Sequence, residues 1–334
     1  MRAGRCNLAP TNYSYITMRK LLTLASLLLI VGCSAPTMGD QEQPAEQPTE
    51  GRVFHATIGE AVGDDTRVYL DSKIRILWNE GDLITLFEGT TRNKQYIFLG
   101  EDGDNAGDFD LYKTGFGSGN AIDRYYALFP YASKTKYVYG DAEGVSDYIR
   151  YTVPSTQTYR EGSIGANANI MVAMTADLDD FDLLFRNACS YLRVKLWGAD
   201  QTIGSVTVSS IGGEALAGDM AITPIYGEAP ECRMLGTLRS VKLDCGDGVT
   251  IGTTKESATE FWLVLPPVTL SRGMTITVTG FYGGSQTYTL ETANLPLKRN
   301  TYNTVTREVT ISDNGTGMGV GGWGEGSSSE GEAE

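Results

Sequence analysis

The chain has 334 residues, with 41 acidic against 27 basic side chains, a single histidine and a net charge of −14. A surface of that sign repels nucleic acid and anionic lipid, so phosphate-backbone binding is excluded. His55 is the only imidazole around which a catalytic triad could form, and neither a Gly-x-Ser-x-Gly elbow nor a His-Glu-x-x-His motif occurs, so no enzyme is expected.

In chain order, the first feature is the apolar run Leu21–Gly32, which follows Arg19 and Lys20 and ends at Cys33. It is shorter than the roughly 20 residues a bilayer span needs, and it has the basic, apolar and small-residue sections of a secretory signal. Ile30-Val31-Gly32-Cys33 resembles the bacterial lipobox, which implies a covalent lipid on Cys33 and the loss of residues 1–32. Met18 is then the expected start. That loss removes four basic residues and no acids, which takes the net charge from −14 to −18. Several acyl chains anchor durably where one does not, at about 0.8 kcal/mol per buried methylene. With Ser34 rather than aspartate after the cysteine, an outer-membrane lipoprotein is expected. Residues 33–51, rich in Pro, Gln and Glu, read as a flexible tether.

Strand after strand follows. "VFHATI" alternates Phe54, Ala56 and Ile58 with Val53, His55 and Thr57. "KIRILW", "DLITLFEG", "KQYIFLG", "YYALFPY", "YIRYTVP" and "IMVAM" continue the pattern through residue 174. "DLDDFDLLFRNA" is ambiguous, because Leu178, Phe181, Leu184 and Phe185 could fall on one face of a helix. "YLRVKLW" puts Leu192, Val194 and Leu196 opposite Arg193 and Lys195, and "MTITVTGFY" alternates Met274, Ile276 and Val278 with threonines. "SVTVSSI", "RSVKLD", "EFWLVLP", "QTYTLE" and "TVTREVTI" behave alike. Period-two runs between Gly, Asp, Asn and Ser clusters predict antiparallel strands in an all-β protein of sandwich type. Two domains are expected, 52–177 and 178–312, followed by a Gly-rich acidic tail, 313–334.

Few groups suggest chemistry. Cys232 and Cys245 flank a hairpin-like segment that a disulfide could close, and Cys189 reads as a small buried hydrophobe. "EDGDNAGDFD" sets Asp102, Asp104 and Gly107 as in a calcium loop, but Ala106 and Lys113 stand where further ligands belong, so an acidic turn and no metal site are expected.

"RILWNEGDLITLF" resembles the W-x-x-G-D-x-I element of the fimbrillin family, the pilus-building lipoproteins of Gram-negative anaerobes. "YYALFPY", "VPSTQTYREGSIGANANIMVAM", "LFRNACSYLRVKLWGADQTIGSVTVSS", "FWLVLPP" and "LPLKRNTYNTVTREV" resemble further stretches of that family in the same order, from about Val53 to Trp323. The resemblance implies two transthyretin-like β-sandwich domains in tandem and a structural subunit of a cell-surface fimbria that contributes to adhesion, as stalk, tip or anchor. It also implies a trypsin-like processing protease that cuts after an arginine, Arg52 first or Arg67 second. Other pilus subunits are then the partners, joined by strand addition, and Met318, Val320 and Trp323 supply a thin donor motif. A host or bacterial surface ligand would be bound by the finished fibre. The alternative is a monomeric outer-membrane lipoprotein that binds glycans through exposed aromatics, for which 18 Tyr and 4 Trp supply material.

Overall fold

The computed structural model describes residues 52–59, 76–88, 91–114, 121–140 and 146–311, which form strands and no helix. Cys33, Arg67, Met318, Val320 and Trp323 lie outside the described residues.

Seven strands make a closed barrel: β1 (Phe54–Ile58), β10 (Asp182–Asn187), β9 (Met171–Met174), β5 (Tyr126–Phe129), β2 (Leu83–Glu88), β3 (Thr91–Phe98) and β4 (Ala106–Lys113), with β4 returning to β1. A four-stranded sheet runs β14 (Glu228–Met234), β13 (Gly218–Ile225), β7 (Tyr148–Val153) and β6 (Lys136–Val138). A three-stranded sheet, β16 (Thr259–Leu265), β11 (Ser190–Trp197) and β21 (Tyr302–Glu308), faces a five-stranded one, β19 (Ser285–Leu290), β18 (Met274–Gly280), β12 (Thr202–Ser210), β15 (Ser240–Thr250) and β8 (Thr156–Thr158). The ribbon β17 (Val268–Leu270) and β20 (Leu295–Leu297) is the remaining pair among the described strands.

Side-chain alternation generates three cores from these ladders. Leu192, Val194 and Leu196 meet Val206, Val208, Ile276 and Val278 across the sandwich. Phe54, Ile84, Tyr96, Phe98, Phe109 and Phe185 fill the barrel. A third core joins the barrel's outer face to the four-stranded sheet and to the back of β11 and β16, through residues such as Leu128, Ile149, Met220 and Trp262. β5 is buried at every position because Ala127 and Phe129 point into the barrel while Tyr126 and Leu128 point into this third core.

Three features differ from the sequence reading. Pairing is not wholly antiparallel: β1·β10, β11·β21 and β8·β15 are parallel, and the first ladder closes on itself rather than standing as two open sheets. Strands also cross the boundary expected at 177/178. β10 is a barrel strand, while β7 and β8 pair with β13 and β15. The ambiguous segment is a turn followed by β10. Asp177 accepts the Asp179 and Asp180 amides at 2.9 and 3.1 Å, and then Leu183 and Phe185 bury while Leu184 stays exposed. The carboxylate competes with helical hydrogen bonding, which favours the turn.

Candidate functional site

β1 is a five-residue strand with a neighbour on each side. It runs antiparallel to β4, from Phe54 opposite Phe109 to Thr57 opposite Ala106, and parallel to β10, from His55 opposite Asp182 to Ile58 opposite Phe185. The His55 amide donates to the Phe181 carbonyl at 3.0 Å, Ile58 to Asn105 at 3.0 Å and Gly59 to Phe185 at 2.9 Å. Phe54 and Ala56 are fully buried and Ile58 nearly so, while His55 faces outward. Burying such a phenylalanine or isoleucine contributes about 1.5–3 kcal/mol each. Taking β1 away would bare the facing edges of β4 and β10 and leave three adjacent side-chain sockets.

The rest of the barrel core has its own centre. Trp78 packs against Phe98, Phe109, Phe129 and Phe185 at 5.9, 5.1, 5.3 and 5.2 Å, none of them in β1. It is seated by Asn79–Asp82, where Gly81 takes φ of 80° and the Asn79 amide donates to the Asp82 carboxylate at 2.9 Å. The W-x-x-G-D element is therefore a barrel plug followed by its turn. Phe54 touches different rings: Tyr96, Tyr125 and Phe181, at 5.4, 5.0 and 5.6 Å. The ring of β1 thus lies beside the Trp78 rings within one buried core, and none of the four rings on Trp78 belongs to β1.

Arg52 sits just before β1. Its guanidinium donates to the Tyr125 hydroxyl and lies 5.7 Å from the ring centroids of both Tyr125 and Phe181. Such cation–π contacts each contribute about 0.5–1 kcal/mol at exposed sites. Arg52 therefore pins the start of β1, a role the sequence did not disclose because both rings are distant along the chain. Chain scission after Arg52 leaves β1 in its ladders. Scission within 60–75 separates it from the rest of the barrel.

Among the described residues Cys189, Cys232 and Cys245 are free thiols. Cys232 packs against the third core with its thiol 3.5 Å from the Ala188 carbonyl, whereas Cys245 lies in the sandwich core, so the contemplated Cys232–Cys245 bridge is not formed. Burial pushes both thiols up to about 12, which leaves them protonated and poorly nucleophilic. In the calcium-like stretch, Asp102 accepts the Glu80 amide and Asp104 the Glu101 amide, at 2.9 and 2.8 Å. No group of three metal-ligating side chains occurs among the described residues.

A buried polar chain went unread in the sequence. Tyr191 donates to Asn169 at 2.6 Å, Asn169 to Asn187 at 3.0 Å, and Asn187 to Asn300 at 2.6 Å. It ties β10 of the barrel to β11 and to the approach of β21.

No family model and no curated protein matches the chain. Solved structures similar to it include a candidate cell adhesion protein from Bacteroides uniformis, at 18% identity over 78% of this chain and 94% of that one, with a TM-score of 0.42. A second, from Bacteroides ovatus, has 14% identity, coverage of 77% and 91%, and a TM-score of 0.43. The tip fimbrial protein from Porphyromonas gingivalis, with C-terminal truncation, has 9% identity, coverage of 78% and 96%, and a TM-score of 0.31. Likenesses at this level bear on neither the partners nor the mechanism of this chain.

Proposed function

We propose that this chain is a structural subunit of a cell-surface fimbria, assembled by exchange of β1 for a strand of another subunit. The observation that carries the reading is the placement of β1: main-chain ladders hold it on both sides, while the rings packed on Trp78 all come from other strands. In this reading the barrel and the sandwich are two transthyretin-like units, and export as a lipoprotein at Cys33 anchors the chain in the outer membrane. A trypsin-like protease then cuts at Arg67, the choice favoured over Arg52 because only that cut frees β1 together with the lipid. An incoming strand re-pairs the bare N–H and C=O groups of β4 and β10 and places alternate side chains in the sockets of Phe54, Ala56 and Ile58. Met318 and Val320 have the spacing of two that such sockets need. Trp323 falls one residue out of step, which a bulge at Gly321 or Gly322 would absorb.

The test is limited trypsin digestion of the full chain, read by N-terminal sequencing and by unboiled SDS gels. A new terminus at Val68 accompanied by a ladder of multimers is expected. Arg67→Ala should stay monomeric and Arg52→Ala should still assemble. A chain cut after Arg67 that remains monomeric, or an Arg67→Ala chain that polymerises equally well, overturns the reading.

A further inference from the structure

The outer face of the same barrel wall borders an open cleft of about 490 Å³. One side is the exposed face of β1 and β10, with His55, Thr57, Asp182 and Leu184. The other is the β13–β14 hairpin, with Pro224, Tyr226, Glu228 and Pro230. The hairpin turn is held in place: Gly227 takes φ of 75°, and Arg186 of β10 donates to its carbonyl at 3.0 Å. That bond fixes the turn beside the barrel, where Tyr226 is 56% exposed and Leu184, on the facing wall, 44%. Gly59 permits this lie of Leu184, since a Cβ there would stand 2.7 Å from its Cδ1.

The polar groups of the cleft include two nitrogen-bearing side chains already engaged, Arg186 on the Gly227 carbonyl and His55 with Nδ1 2.9 Å from Asp108, and three carboxylates. The Asp182 and Glu228 carboxylates, both on exposed residues, have no hydrogen-bond or ion-pair partner among the described residues. Asp180 adds a third carboxylate, turned onto the Ala176 and Asp182 amides at 2.8 and 3.0 Å. An aromatic face with an apolar body suits the C–H face of a sugar ring, and a carboxylate accepts two hydroxyl protons at once. Ligand pockets of about 300–1,000 Å³ are the usual range for small molecules, so this one admits a short saccharide. Three carboxylates outnumber the single guanidinium, Arg186, around the mouth, which disfavours an anionic guest.

We propose that this cleft binds a neutral saccharide, stacked on Tyr226 and hydrogen-bonded through Asp182 and Glu228. The groups assigned to the sugar lie on β10 and the β13–β14 hairpin, not on β1, so the uncut chain already carries them whether or not strand exchange occurs.

Calorimetric titration of the full chain with a panel of neutral disaccharides (maltose, cellobiose, lactose), with 3′-sialyllactose as the anionic counterpart, tests it. At least one neutral sugar should bind with a Kd of about 1 mM, a typical value for so small a contact. Tyr226→Ala should weaken that binding about tenfold, the size of one aromatic contact, while Tyr226→Phe holds it within about twofold because the stacking face survives. Asp182→Asn should weaken it by about tenfold or more through loss of a charged acceptor. Failure of every neutral sugar to bind overturns the proposal. So do undiminished binding by Tyr226→Ala, tighter binding of sialyllactose, or capture of a lysine-rich peptide in place of any sugar. Each result is independent of whether Arg67 cleavage yields multimers.

Discussion

The barrel and the sandwich use the same alternating strands and reach different kinds of closure. The barrel interior is aromatic, with Phe54, Trp78, Tyr96, Phe98, Phe109, Tyr125, Phe129 and Phe185. The buried sandwich core is aliphatic, with Phe261 as its one ring. In the sandwich the central strands are internal to the chain, and the outer side of β16 is covered by Gln157, whose buried amide donates to the Val264 carbonyl at 2.6 Å and accepts its N–H at 2.9 Å. In the barrel the last gap is filled by one short strand, β1, that precedes all the others. Among the described strands, one closure uses strands internal to the sequence and the other uses the first strand of the series. The four rings around Trp78 come from β3, β4, β5 and β10, whereas the one ring of β1, Phe54, meets Tyr96, Tyr125 and Phe181 in the same core.

The strongest way to break the contrast is to remove its centre. Trp78→Ala deletes the ring on which β3, β4, β5 and β10 converge, and should cost about 4–5 kcal/mol, near the upper end for buried aromatic truncations. Urea unfolding followed by circular dichroism should then show the barrel lost before the sandwich. Phe54→Ala should cost less, about 3 kcal/mol, because it meets three rings rather than four and one of them, Phe181, is exposed. Its expected signature is local: faster amide exchange along β4 and β10, with β11, β12 and β18 unchanged. Equal exchange in both regions would erase the distinction between a removable strand and an integral one.

The asparagine chain sets how far the two regions unfold together. Asn187→Ala removes both a donor to Asn300 and an acceptor for Asn169, leaving buried polar groups unpaired at a cost of about 2–3 kcal/mol. A single unfolding transition should split into two, as seen by comparing circular dichroism with tryptophan fluorescence.

Strand alternation made much of this architecture legible. Leu192, Val194 and Leu196 are buried as their spacing predicts, as are Met274, Ile276 and Val278, and Val305 and Val309 belong to the sandwich core. The direction of pairing left no trace, because a parallel and an antiparallel neighbour bury the same face of β1 or β21. β10 was obscured because Asp177, Asp179, Asp180 and Asp182 interrupt its approach, while Leu183 and Leu184 side by side blur the period. "KIRILW" reads as a strand, yet Trp78 is an isolated bridge to Asp104, since the turn at Gly81 begins immediately after it. The partners of Arg52, Tyr125 and Phe181, are more than seventy residues away in sequence, and only tertiary structure assembles them.

The smallest expected effect is one of sign. Serine hydroxyls from Ser210 and Ser271 hold the Glu214 carboxylate down to about 2, against an ordinary 4.5. Because its folded value is depressed, its contribution is present above 4.5 and is lost as pH falls toward 2. The group is largely solvated, so the loss is on the order of 0.5 kcal/mol. Asp82, in the turn behind Trp78, is shifted the other way: burial raises it above its ordinary 3.8, with the Asn79 hydrogen bond opposing. The folded barrel therefore binds that proton more readily than the unfolded chain, and this site adds stability as pH falls through its folded value toward 3.8. Asp82→Asn abolishes the gain while keeping an acceptor for the Asn79 amide, and Glu214→Gln abolishes the loss. Thermal unfolding between pH 6 and pH 3, recorded for both variants, should show the first steepening the acid decline of the transition and the second flattening it. Identical acid profiles for the two variants would mean that the regions do not differ in how they handle a proton.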